Sequence, residues 1–266
     1  MSDYETIAVS RDGNGVAGVT LSRPEVRNAM NARLIAEVTD AFTTLGANDG
    51  VRVIVIRGAG KVFCAGADLN WMRDVENHTA DEVAADSRRL EAMYRAIDDC
   101  PKTTIARIHG AAMAGALGIV ACSDAVIAER STRFCVSEVR LGLTPGIIST
   151  FLLPKVGASR MRYWAVSAIV FEAEEALRAG LVHRIADGGD DLDRAIDAQI
   201  DLALAAAPEA VTWTKELLTE AGGSGDPAVF ERALQSNLRA RTSEVAKAGI
   251  AAFLGKRAAP WSAERG

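Results

Sequence analysis

Residues 51–72 read VRVIVIRGAGKVFCAGADLNWM, and the change of character halfway along this segment decides the fold class. Val51 to Arg57 is a short, nearly continuous run of β-branched residues. A half-solvated strand alternates apolar with polar side chains, whereas a strand covered on both faces reads as an unbroken apolar run. The run therefore predicts a central strand of an α/β protein. From Val62 to Met72 small residues take over, and a backbone without bulky side chains lets a ligand approach closely. The linking Gly58-Ala59-Gly60-Lys61 is not a phosphate loop. Val55 stands where that motif needs its first glycine, and neither Ser nor Thr follows Lys61.

Towards the N-terminus, Thr6 to Ser10 and Val16 to Leu21 are β-rich and separated by DGNG, the pattern of a hairpin. Gly13 to Gly18 also fits GxGxxG, but a dinucleotide loop needs a helix after it, and VTLSRP is β-like and ends at a proline. Asn31 is a candidate N-cap for a helix with Leu34, Ile35, Val38, Phe42 and Leu45 on one face, stopped at Gly46. The order is thus ββα followed by β. Towards the C-terminus the order recurs. Thr79 and Glu82 have capping-box spacing ahead of a helix carrying Leu90, Met93, Tyr94 and Ile97, and Thr104 to Ile108 is the next strand. Gly110 to Cys122 is small and apolar and predicts a helix buried on most sides, with Ala125 to Ala128 as a further strand. From about Ser149 helices dominate. Gly180 is a candidate C-cap, Asp226-Pro227 a helix start, AGGSGD at 221–226 a loop, and Thr242 to Leu254 a last helix with Ala246, Ile250, Phe253 and Leu254 inward.

Of 266 residues, 49% are hydrophobic, which excludes intrinsic disorder, and only 5% are aromatic, so aliphatics and alanine must fill the core. The formal charge of −5 argues against general nucleic-acid or anionic-membrane binding. The longest apolar stretch is too short and glycine-rich to span a bilayer, and MSDYETIAVS has no secretory pattern, so a cytoplasmic protein is expected. Cys64, Cys100, Cys122 and Cys135 show no CxxC spacing, and His78, His109 and His183 lie far apart. Four buried thiols are expected, with neither disulfides nor a metal site.

Three stretches remain for chemistry: Val62 to Met72; Ile108 to Gly118, where a strand runs into a helix start whose free N–H groups carry the positive dipole end; and Phe134 to Gly146, where one acid, Glu138, sits among apolar neighbours before a Pro-Gly turn. The ordered set RPEVRNAMN, FCAGADLNWM, HGAAMAGALGIVACSD, SEVRLGLTPG and AFLGKR resembles the enoyl-CoA hydratase/isomerase family, the crotonase fold, over about residues 5–257. The resemblance implies a crotonase-type spiral of repeated ββα turns at 1–198 holding the CoA site and catalytic pocket, and a helical region at 199–266 that trimerises. A homotrimer, or a hexamer as a dimer of trimers, is the implied assembly.

By motif position the resemblance makes the backbone N–H groups of Ala67 and Gly115 an oxyanion hole for the thioester carbonyl of an acyl-CoA, with Glu138 as the acid–base. It places Arg27, Ala29, Ala65, Asp68, Leu69, Phe253 and Lys256 along the CoA moiety, which belongs to the substrate rather than being a cofactor. Trp71, Met72, Met93 and Ile148 are candidates for the acyl pocket, though core packing explains them equally well. The chain departs from the family's pattern at one point. Hydratases of this family typically carry two glutamates that grip the water; Glu138 matches the second, and the first aligns with Gly118. The glycine triplet expected nearby reads Ala114-Gly115-Ala116. Three readings stay open: a hydratase in which Glu138 alone moves the protons, a Δ3,Δ2-enoyl-CoA isomerase, which needs only one base, and a CoA-ester-binding protein without catalysis. A serine peptidase of related fold is disfavoured, since no Ser-His-Asp set is recognisable.

Overall fold

Val53–Gly58 forms β3 of a six-stranded sheet in the computed structural model, which describes residues 4–68, 71, 79–220 and 243–261. The sheet runs β1 (Ile7–Arg11), β2 (Val16–Leu21), β3, β4 (Thr103–Ile108), β6 (Ala125–Glu129) and β9 (Arg184–Ala186). β1 and β2 are the antiparallel hairpin, and every later neighbour pairs in parallel, with Val53 opposite Thr103 and Ile105 opposite Ala125. The GxGxxG match lies in this hairpin, where Gly13 and Gly15 take φ of 80° and 91° and Asp12 Oδ1 accepts from the N–H groups of Asn14 and Val16.

Period-two alternation divides the apolar run between two cores. Ile54 and Ile56 join Ala106, Ile108 and Val126 in the larger core, which holds α1 (Ala32–Gly46), α2 (Ala80–Asp98) and α3 (Ala116–Cys122). Val53 and Val55 join Ile105 and Ile127 on the opposite face, covered by Leu192, Ala195, Ile196 and Ile200 of α7 (Gly189–Leu204). Residue 198, the expected junction, falls within α7. Each of the buried Val, Ile and Leu side chains among them contributes about 1.5–3 kcal/mol. Both helix starts take the expected form. Asn31 caps α1 by accepting from the Leu34 N–H at 2.9 Å, and Thr79 and Glu82 form the reciprocal capping box of α2.

The stretch from Gly110 to Cys122 is not one helix. Ala111–Met113 is β5, paired in parallel with β7 (Arg133–Cys135), and only Ala116–Cys122 is helical. The chain turns sharply at either end of β5: Gly110 has φ 62° and Ala114 φ 47°. At Gly110 a Cβ would stand 2.1 Å from the Lys61 carbonyl oxygen, so glycine is required there. A further strand, β8 (Phe171–Glu172), completes the smaller sheet. Helices α4 (Gly146–Val156), α5 (Ala158–Ser167), α6 (Ala173–Arg178) and α8 (Pro208–Glu220) supply most of the remainder, so the region after Ser149 still contains two strands.

The last described helix, α9 (Glu244–Leu254), differs from expectation in its packing. Among the described residues Ile250 is 58% and Leu254 75% exposed, whereas Ala252 of the same helix is buried. Asp226-Pro227 and the AGGSGD loop lie outside the described residues. All four cysteines are buried and free, and burial pushes the Cys64 thiol up to about 12 and that of Cys122 higher still. No helix among the described residues is long and apolar enough to cross a membrane.

Candidate active site

The segment after β3 is held by backbone bonds to two other parts of the chain. The Cys64 N–H donates to Ala111 O and the Met113 N–H to Cys64 O, both at 3.1 Å, so the segment lies along β5. The Met30 N–H donates to Gly66 O at 2.7 Å and the Asp68 N–H to Met30 O at 2.8 Å. Asn28, fully buried, donates through Nδ2 to the carbonyls of Ala59, Val62 and Phe63. Gly66 takes φ 94°, and a Cβ there would lie 2.9 Å from Met113 O, so this turn too requires glycine.

This stitching leaves the Ala67 N–H without an acceptor among the described residues. The same is true of the Gly115 N–H. Gly115 precedes the first turn of α3, where N–H groups have no intrahelical partner, and the preceding Ala114 N–H is anchored on Cys135 O at 2.8 Å. Both residues are half-buried, and both line one cavity of about 480 Å³.

Glu138 lines the same cavity, as the first residue of a 3-10 turn, Glu138–Leu141, after β7. Its Oε2 is buried with no hydrogen-bond partner. Burial pushes its carboxyl above the usual carboxylate range, against the opposing pull of the Glu138 and Ser137 backbone amides. It is the only titratable side chain on the described cavity wall, which is otherwise mainly apolar, with Trp71, Leu90, Leu143 and Ile148 among its members. Two donors for a developing oxyanion beside one desolvated carboxylate is an arrangement suited to enolate chemistry.

A sequence model of the enoyl-CoA hydratase/isomerase family matches residues 11–264. The chain belongs to that family. An enoyl-CoA hydratase of Alternaria alternata, AFT6-1, is 33% identical over 90% of this chain and 78% of its own. The mitochondrial Delta(3,5)-Delta(2,4)-dienoyl-CoA isomerase of Homo sapiens is 34% identical over 80% of this chain and 68% of its own. A crystal structure of an enoyl-CoA hydratase from Shewanella pealeana superposes with a TM-score of 0.93 at 34% identity, covering 97% of each chain.

The remaining candidates of this hydratase/isomerase family member are spread more widely. Ala65 lines the cavity, while Ala29 is buried beside it in sequence from Met30, another wall residue. Asp68 is 6% exposed, and its carboxylate takes the Arg23 guanidinium at 2.8 Å, so it ties the segment down. Arg27 is exposed, with φ 56°, and Lys256 is exposed beyond α9, with φ 50°; neither lines the cavity. Leu69, Met72 and the side chain of Phe253 lie outside the described residues. Trp71 and Ile148 line the cavity, whereas Met93 is fully buried core. His109 holds a structural bond, its Nε2 lying 2.9 Å from Gly60 O.

One residue of the site region was not singled out from sequence. Tyr94 is fully buried, and its ring occupies the space beside Gly118, where a Cβ would lie 2.4 Å from two ring carbons. The space beside Gly118, expected from the resemblance to lack a glutamate, is therefore filled from α2 by a phenol. The glycine at 118 was the available signal, because a missing side chain in a dense core implies that a neighbour fills its volume.

Proposed function

We propose that the chain is an enoyl-CoA hydratase that adds water across the double bond of a 2-enoyl-CoA, with a mainly apolar acyl group. The thioester oxygen is held by the Ala67 and Gly115 N–H groups. Glu138 takes a proton from water as the oxygen adds at C3, and returns a proton at C2 as the enolate collapses. The observation that carries this reading is that two unpaired backbone donors and one desolvated carboxylate share a single cavity of about 480 Å³. CoA is part of the substrate, and Arg27 and Lys256 are exposed cations suited to its phosphates.

The isomerase reading is favoured by a separate observation, the Tyr94 ring in the place of a second carboxylate. A Δ3,Δ2-isomerase needs one base, which takes a proton from C2 and returns it at C4. Parallel incubations with 2-enoyl-CoA and 3-enoyl-CoA separate the two. Loss of the conjugated thioester absorbance from the 2-enoyl substrate supports the hydratase. Its appearance from the 3-enoyl substrate, with the 2-enoyl substrate untouched, supports the isomerase. Binding of both with turnover of neither overturns the enzymatic reading. The exposed Ile250 and Leu254 of α9 are suited to burial against another copy in a trimer or hexamer, which light scattering of the purified protein tests.

A further inference from the structure

We propose that Tyr94 is a positioning residue for the Gly115 amide and so acts on the enolate oxygen without touching substrate. This rests on the oxyanion reading above and adds the element that fixes one of its donors. Tyr94 is fully buried, is not part of the cavity wall, and donates its hydroxyl to Gly115 O at 2.7 Å. The phenol thus grips a cavity-lining residue with an unpaired N–H from a position outside the cavity wall.

Gly115 needs such a grip for a local reason. It has no Cβ, and its neighbour Ala114 is already in the left-handed region at φ 47°. The Ala114 N–H is anchored on Cys135 O at 2.8 Å, which fixes the chain before residue 115. After it, the α3 turn supplies a bond from the Gly118 N–H to Gly115 O at 3.0 Å, with the Tyr94 hydroxyl as the second donor to that oxygen. The two anchors bracket the peptide that carries the Gly115 N–H, so loosening either lets that N–H swing.

The phenol is itself rigid. Its ring packs edge-on to Phe151, with centroids 5.5 Å apart and planes at 65°, and it abuts Gly118 so closely that no larger residue fits there unless the ring moves. Burial holds the hydroxyl protonated well beyond the ordinary tyrosine range, so it remains a donor at any working pH. Tyr94 and Gly118 are a matched pair: the ring needs a glycine at 118 to reach Gly115 O.

The test is Tyr94→Phe, which keeps the ring and removes the donor, while Gly115 O retains the Gly118 N–H. Infrared difference spectra of carbonyl-13C butyryl-CoA, which cannot react, report the hydrogen bonds to the thioester oxygen directly. In the unaltered protein the carbonyl stretch should move to lower frequency on binding, and in Tyr94→Phe that shift should shrink. In crotonyl-CoA hydration kcat should fall about tenfold with KM changed less than twofold, since a small displacement of a catalytic group is costly. An unchanged carbonyl shift in the variant overturns the proposal. Absence of any shift in the unaltered protein overturns the oxyanion reading itself, a different failure from the first.

Discussion

The floor and the roof of the cavity are built differently. The floor, which carries Ala67 and Gly115, is stitched by main-chain bonds to β5, to Met30 and to Cys135, with glycines where the strands of chain nearly touch. The roof runs from Glu138 to Ile148, and its outer apolar side chains are half in solvent: Leu141 is 59% and Leu143 48% exposed, while Ile148 is buried. The floor holds dipoles, whose effect depends on fixed direction. The roof holds one carboxylate and an apolar wall, whose effects depend on desolvation and area. The contrast predicts that damage to the floor is felt in kcat, and damage to the outer roof in KM.

Five substitutions, one of them added to another, break or sharpen that division. Glu138→Gln should lower kcat by about 10²–10⁴-fold while acyl-CoA binding persists. Glu138 has a raised folded-state carboxyl pKa, so ionising it opposes folding: the penalty sets in as pH rises past the ordinary carboxylate value, is complete above the raised one, and is absent only below the ordinary one. The variant should therefore melt no lower than the parent at neutral pH, and the parent's acid limb in kcat/KM should lie above the ordinary carboxylate value; an acid limb at or below that value would contradict the desolvated base. Ala67→Pro deletes the N–H proposed as an oxyanion donor and should cost about 10²–10³-fold in kcat. Circular dichroism should show it still folded, and equal losses of fold and rate would remove Ala67 from the donor role.

Gly118→Glu should destabilise by roughly 3 kcal/mol through overpacking and charge burial against Tyr94, read as a lower melting temperature. Adding Tyr94→Ala should recover part of that loss, because the ring and a side chain at 118 compete for one space. The smallest effect belongs to the roof. Leu143→Ala should raise KM for longer acyl-CoA substrates by about fivefold, near 1 kcal/mol of lost apolar contact, and leave kcat alone.

Legibility in the sequence followed the distance over which each signal acts. The Asn31 cap and the Thr79–Glu82 box involve residues three apart, and both are seen. The two-faced character of Val53–Gly58 was readable because burial on each side leaves its own imprint on alternate residues. The start of α3 was misplaced because small apolar residues suit strand and helix alike, and what decides for Ala111–Met113 is pairing with Arg133–Cys135 more than twenty positions on. Asp68 matched a ligand-facing position by motif, yet its carboxylate partner Arg23 is 45 residues away. Tyr94 read as ordinary core for the same reason: its aromatic body follows the helical pattern, and the destination of its hydroxyl, Gly115 O, is 21 residues distant. The expectation that Ala67 and Gly115 act as donors came only through motif resemblance, since a backbone N–H has no side chain to announce it.

The four enclosed thiols have a practical corollary. Cys64 and Cys122 are scarcely ionised anywhere near neutrality, and the thiolate is the reactive form. An alkylating reagent added to the native protein would thus find nothing to modify until the interior opens. The rate of labelling becomes a clock for spontaneous breathing of the larger core, read without introducing any foreign probe.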